Sequence, residues 1–193
     1  MRKLVFVLFI CSLSVGNLWA QSGASDEVYE KGDVQIRVGV GALFPLYVHA
    51  FNFSDFTMSS MKTGFSIGLG FDYYLSNNLK IGGSASFGSI TNSSKNYSFL
   101  VPVVTRISWE FHTIRFDFPV GVDVGLLFNK YRTLFAINFL VRPHAGVFFN
   151  ITRSWSIGID TTFWIVPQVV WDDLPKSRVG TFVEVMIAGR YRL

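Results

Sequence analysis

From Asp33 onward, apolar and polar positions alternate with a period of two. Val34, Ile36, Val38, Val40, Ala42 and Phe44 fall on one face, and Gln35, Arg37, Gly39 and Gly41 fall on the other. That period is the signature of a strand with two unlike faces. It returns from Phe65 to Tyr73 and, more weakly, from Leu79 to Phe87. A fourth segment puts Tyr97, Phe99, Val101, Val103, Ile107, Trp109 and Phe111 on its apolar face, and a fifth does so with Ile114, Phe116, Phe118, Val120, Val122, Val124 and Leu126. The sixth carries Ile137, Phe139, Val141, Ala145, Val147 and Phe149, the seventh Trp155, Ile157, Ile159, Thr161, Phe163 and Ile165, and the last Val179, Val183, Val185, Ile187, Tyr191 and Leu193. Each segment reaches the roughly 9–11 residues that a tilted membrane strand needs. Tight turns are expected at Ser76-Asn77-Asn78, His112-Thr113 and Thr152-Arg153, with longer loops at 45–61, 88–96, 129–134 and 167–177. Short turns alternating with long loops are the habit of outer-membrane barrels. Pro102, Pro119 and Pro143 cannot donate to a ladder, so the sequence predicts bulges there.

Composition decides which face points outward. The chain is 50% hydrophobic and 17% aromatic, with 20 Phe, and only 16% charged, against about 25% charged in soluble domains. A soluble barrel needs a charged exterior. Here the non-apolar face is Gly, Ser and Ala with single charges, which suits a crowded interior. Beyond the first residues no apolar run is long enough for a spanning helix. In hydrocarbon every backbone group must be paired, which leaves closure of the sheet. The expected fold is all-β: an eight-stranded antiparallel up-and-down transmembrane β-barrel preceded by a cleaved signal peptide.

The first residues carry that signal. Met1-Arg2-Lys3 is basic, Leu4 to Leu13 apolar, and Leu18-Trp19-Ala20-Gln21 offers a cleavage position. The expected organisation is a signal peptide at 1–20, a short periplasmic segment at 21–32 and the barrel at 33–193, with cleavage after Ala24 as the alternative. An anchor helix needs roughly twice the apolar length. Phe9-Ile10 is not the small pair that precedes a lipidated cysteine. Cys11 is the only cysteine, so the exported chain has neither disulfide nor thiolate metal site. The net charge of +4 is too small and scattered for nucleic acid.

Tyr73, Trp109, Phe111, Trp155 and Tyr191 fall near the short-turn ends of outward-facing rows, where a periplasmic aromatic girdle belongs. The strand rhythm, the run Phe99-Leu100-Val101-Pro102-Val103 leading into Trp109-Glu110-Phe111, and the closing run Val183 to Leu193 resemble the eight-stranded outer-membrane barrels of the OmpA, OmpX and OmpW group. The resemblance covers the chain from about Asp33. It implies residence in the outer membrane of a diderm bacterium, surrounded by its lipids, and assembly by periplasmic chaperones and the barrel-insertion machinery. It also implies an assembly signal at the C-terminus: Tyr191 fits the pattern, whereas Leu193 stands where the group has a terminal aromatic.

The inward face bears Arg37, Lys80, Arg106, Arg115, Arg142 and Arg190 against Asp72, Glu110, Asp117, Asp123, Asp160 and Glu184. Counting out from the turns predicts lumen ion pairs Arg106–Asp117, Arg142–Asp160 and Arg37–Glu184. These charges describe either a filled core or a narrow channel, and their mixed signs favour the filled one. Tyr47, Phe51, Phe53 and Trp171 form a candidate interaction surface in the long loops, for a surface partner or, as the OmpW-like resemblance implies, a small hydrophobic ligand. The expected function is a structural or surface-interaction barrel with no catalytic group, cofactor or metal, working as a monomer. The alternative is a conduit for small, mostly hydrophobic solutes. A more remote one is a lipid A-modifying enzyme using His49, Ser54, Asp55, Asp172 and Asp173. His112 and His144 are too isolated for metal-ligand spacing.

Overall fold

A computed structural model describes residues 29–50, 56–58, 61–92, 96–168 and 177–193. The signal segment and both cleavage positions lie outside these residues. The strands are β1 (Val34–Ala50), β2 (Phe56–Met58), β3 (Met61–Tyr74), β4 (Leu79–Asn92), β5 (Tyr97–His112), β6 (Phe116–Tyr131), β7 (Leu134–Asn150), β8 (Trp155–Gln168) and β9 (Arg178–Arg192). Each pairs antiparallel with its neighbour, and β9 pairs back onto β1 from Gln35↔Arg192 to Ala50↔Arg178. The short β2 continues the β3 side of β1, so the wall has eight staves and is closed. Among the described residues no helix is long and apolar enough to cross a membrane.

The alternation seen in the sequence is the alternation of the wall. On β5, Tyr97, Phe99, Val103, Ile107 and Trp109 are exposed, while Leu100, Val104, Arg106, Ser108 and Glu110 are buried. An exposed row of this kind is stable only against lipid. From Phe99 to Trp109 it runs about 33 Å along the strand, and at a tilt near 40° that spans about 25 Å of height, the thickness of an outer-membrane apolar band.

The strands run further than the sequence suggests. The segment at 129–134 is not a long loop: Tyr131 pairs with Leu134, leaving a two-residue turn in which Arg132 has φ 54°. Aromatic and β-branched residues on both flanks carry the ladder to the tip. The prolines also behave otherwise than expected. At Pro102, Pro119 and Pro143 the register is unchanged. Each interrupts the ladder on one side only: Pro102 toward β4, Pro119 toward β7 and Pro143 toward β8, each while still pairing with its other neighbour. A strand residue points its N–H to one side, so a missing donor opens a window of two pairs without shifting the strand. The irregularities lie at Pro45–Val48, between β1 and β9, and at Lys62–Phe65, between β3 and β4.

Candidate functional site

The lumen is where chemistry-bearing side chains converge. Among the described residues, the buried set holds five cations (Arg37, Lys80, Arg106, Arg142 and Arg190), six carboxylates (Asp72, Glu110, Asp117, Asp123, Asp160 and Glu184) and His144. Arg115, expected inside, is exposed in the turn between β5 and β6.

Glu110 on β5 is the hub nearest the short turns. It accepts hydrogen bonds from Lys80 Nζ at 2.9 Å, from the Tyr74 hydroxyl and from Arg190 Nη1. Lys80 also reaches Gln35 Oε1 at 3.3 Å and stands 3.9 Å from Asp72. The Arg190 guanidinium lies over the Phe148 ring, 3.2 Å from its centroid. The partners of Glu110 come from β3, β4 and β9, and through Lys80 and Arg190 the cluster reaches Gln35 on β1 and Phe148 on β7.

Midway up, Asp123 on β6 grips Arg106 with both oxygens, at 2.7 and 2.9 Å, and accepts from Arg142 Nη2 at 2.8 Å. His144 Nδ1 sits 3.1 Å from the same carboxylate. Asp160 accepts from Arg37 at 2.9 Å and Arg106 at 3.0 Å. Glu184 accepts from Thr162 at 3.0 Å and from the Trp164 indole at 3.1 Å, with Arg142 at 3.7 Å. Gly70 leaves room beside Arg37: a Cβ there would lie 2.9 Å from the guanidinium, which would have to shift.

All six residues assigned to lumen pairs are inside, but the partners differ. The turn sets His112 opposite Asp117, and each step back from it moves one step forward on β6, which puts Arg106 opposite Asp123. Asp117 is taken by His112 at 2.8 Å. Arg142 also lies opposite Asp123, whereas Asp160 lies opposite Gly146. Arg37 lies opposite Arg190, and Glu184 is six positions higher, opposite Leu43. Arg37 therefore crosses to Asp160. The predicted pairs Arg106–Asp117, Arg142–Asp160 and Arg37–Glu184 give way to Arg106–Asp123, Arg142–Asp123 and Arg37–Asp160.

Each end of the lumen is closed differently. At the short-turn end, Tyr29 folds back from before β1 and is only 4% exposed. Its ring stacks between Tyr74 and His112, each 4.7 Å away, and its hydroxyl donates to Asp117 at 2.8 Å. Gly32, at φ 105°, makes the reversal and donates to Tyr74 O at 2.9 Å. Burial, with the negative Asp117 and Glu110 nearby, pushes the Tyr29 phenol well above the usual tyrosine range, so it stays a donor. Nothing in the polar stretch around Tyr29 marked it as a lumen residue except that it is a lone aromatic there. At the loop end, Leu43, Ile90, Leu100, Val104, Leu127, Leu140, Trp164 and Val166 form one buried cluster, with Met61 and Phe182 packed against it. Between these layers remains a cavity of about 30 Å³, bordered by Arg37, Arg106, Arg142, Asp160 and Glu184.

Of the girdle residues, Tyr73, Trp109 and Trp155 are exposed at the short-turn end, and the Trp155 and Tyr191 rings meet at 4.8 Å. Phe111 is partly exposed one residue before the end of β5. Tyr47 is exposed on β1. Phe51, Phe53, Ser54, Asp55, Trp171, Asp172 and Asp173 lie outside the described residues; the backbone of His49 pairs with Phe56 and Val179. Among the described residues no His, Cys, Asp and Glu cluster is arranged to hold a metal ion.

A protein-family model matches residues 19–191. Solved structures share this architecture. Neisserial surface protein A superposes with a TM-score of 0.59 at 13% identity, covering 89% of this chain and all of that one. The outer membrane protein OprG from Pseudomonas aeruginosa gives 0.54 at 10% identity, covering 88% and 99%. The chain has the fold of the eight-stranded outer-membrane β-barrels. AlkL, solved by solid-state NMR in lipid bilayers, aligns at 0.53 with 12% identity over 91% of this chain and 95% of its own. Two uncharacterized proteins of Treponema pallidum (strain Nichols) are similar in sequence, 28% identical over 141 residues and 24% over 143. The matched stretches are 68% and 67% of this chain, but 64% and 49% of those relatives, so the chain spans only part of their length.

Proposed function

We propose that this barrel is a non-conducting integral outer-membrane protein that supports the envelope and meets partners through its loops. The observation that carries this reading is the filled lumen: the apolar cluster around Trp164 and Leu127 covers one end, Tyr29 covers the other, and the charged lattice leaves about 30 Å³ between them. That space suits one or a few waters, not a solute. An apolar conduit would need an apolar lining along its length, whereas the lower half is charged. No catalytic task is assigned. The loop residues Tyr47, Phe51, Phe53 and Trp171 are the proposed contact surface, for a surface partner or a small hydrophobic ligand. Tyr191 and Leu193 are the proposed assembly signal, read by the insertion machinery after chaperones deliver the exported chain. The barrel acts as a monomer in this reading.

The test is single-channel recording of the refolded protein in a planar bilayer, after a heat-modifiable gel shift has verified folding. A silent bilayer is the expected result. Reproducible conductance steps that change in Arg106→Gln would overturn the closed lumen in favour of a channel. Flux of a small apolar solute into vesicles, without ionic current, would instead support the conduit.

A further inference from the structure

The lipid-facing rows do not stop where the strands stop. Tyr73 on β3 is followed two residues later by exposed Leu75, and Phe149 on β7 by exposed Ile151. Ile114, 96% exposed, precedes exposed Phe116 by the same spacing, and Leu193, 68% exposed, follows Tyr191. Each aliphatic lies just outside a strand, two positions from a residue of the outward row, and is itself exposed. Each of the three turns at this end, and the chain end beside them, adds one exposed aliphatic to the rim. A single exposed aliphatic needs no explanation, but four at one rim beside the aromatic girdle form a continuous apolar edge. Interleaved with them are Arg115 and Arg153, both exposed. Arg192 is engaged elsewhere, 3.6 Å from Asp33 and over the Tyr29 ring.

We propose that the short-turn end of the barrel is a binding surface for anionic phospholipid in the periplasmic leaflet. Leu75, Ile114, Ile151 and Leu193 sit at the acyl boundary, and Arg115 and Arg153 lie on headgroup phosphates. Two observations favour lipid over a protein partner: the surface is continuous with the membrane-facing girdle of Tyr73, Trp155 and Tyr191, and the turn charges Arg115 and Arg153 are cationic, with Lys31 offsetting the exposed Glu30 at the same end. A cation near an anionic membrane surface contributes roughly 1 kcal/mol, or about five-fold in local lipid preference.

Two measurements test this in vesicles of mixed phosphatidylcholine and phosphatidylglycerol. Nitroxides are placed at Ile114→Cys and Ile151→Cys in a Cys11→Ser background, and collision with oxygen is compared with collision with a water-soluble nickel chelate. Oxygen-dominated collision at both sites is expected. Nickel-dominated collision places the turns in water, and protection from both reagents indicates a protein contact; either overturns the proposal. Association of spin-labelled phosphatidylglycerol with the folded barrel is then compared with that of spin-labelled phosphatidylcholine. Preference for the anionic lipid should fall about five-fold for each of Arg115→Gln and Arg153→Gln, and should be unmoved by Arg132→Gln at the opposite rim. Equal association of both lipids with the unaltered barrel would also overturn it. Channel activity, which tests the closed lumen, does not enter either readout.

Discussion

Toward the short turns the lumen is filled by Lys80, Glu110 and Arg190; toward the loops it is filled by Leu100, Leu127 and Trp164. Both halves exclude solute, but they hold the wall together differently. The apolar half depends on volume, and apart from the Trp164 indole, which donates to Glu184, its side chains are alike in kind. The charged half depends on partners. Glu110 serves Lys80, Tyr74 and Arg190 at once, and Asp123 serves Arg106 and Arg142. Losing volume in one half leaves a dry hole, whereas losing a carboxylate in the other leaves cations facing each other in a low dielectric.

Glu110→Ala should have the largest effect. It strands Lys80 and Arg190, and breaking a buried pair typically costs about 3–5 kcal/mol, read as loss of urea resistance in lipid vesicles. If the lattice acts through partners, Glu110→Met combined with Arg190→Met should lose less than Glu110→Ala alone. An equal or greater loss would show that the charged half, too, is merely filled volume. Leu127→Ala comes next, at about 2–5 kcal/mol, with the planar bilayer still silent because an apolar cavity stays dry. Conductance from Leu127→Ala would erase the distinction between the halves. Tyr29→Phe keeps the ring stacked but removes the bond to Asp117, worth about 1.5–3 kcal/mol for a charged acceptor. Its expected signature is a modest fall in melting temperature with the gel shift intact. Lys130→Gln, exposed on the lipid-side rim and outside both halves, should change stability by no more than about 0.5 kcal/mol.

The wall was legible because a strand with one face in lipid and the other in a packed lumen must alternate. Phe99 and Trp109 declared their side as plainly as Arg106 and Glu110. Register is harder, because a hairpin's alignment follows from its turn. Placing Arg106 level with Asp117 misses that the turn already spends Asp117 on His112, and the correct step reaches Asp123. Contacts across the lumen, such as Arg37 with Asp160, depend on barrel shear and on the space left by Gly70, which local spacing does not encode. Tyr29 was invisible for a related reason: its role depends on a reversal at Gly32 and on two rings distant in sequence. The prolines misled in the opposite direction, since a missing donor suggests a distorted strand where the structure keeps a straight one with a missing rung.

Those missing rungs are unevenly distributed, and this has a mechanical consequence. β7 is bounded by a window on each edge, opposite Pro119 on the β6 side and at Pro143 on the β8 side. A stave so placed is stitched less densely into the wall than β1, whose long edge with β9 has a single irregularity. Under a load that pulls the barrel apart, β7 is the stave that works loose first. The carbonyls opposite those prolines, at Gly146 and Phe163, lack a strand donor and are where water should first enter this part of the ladder.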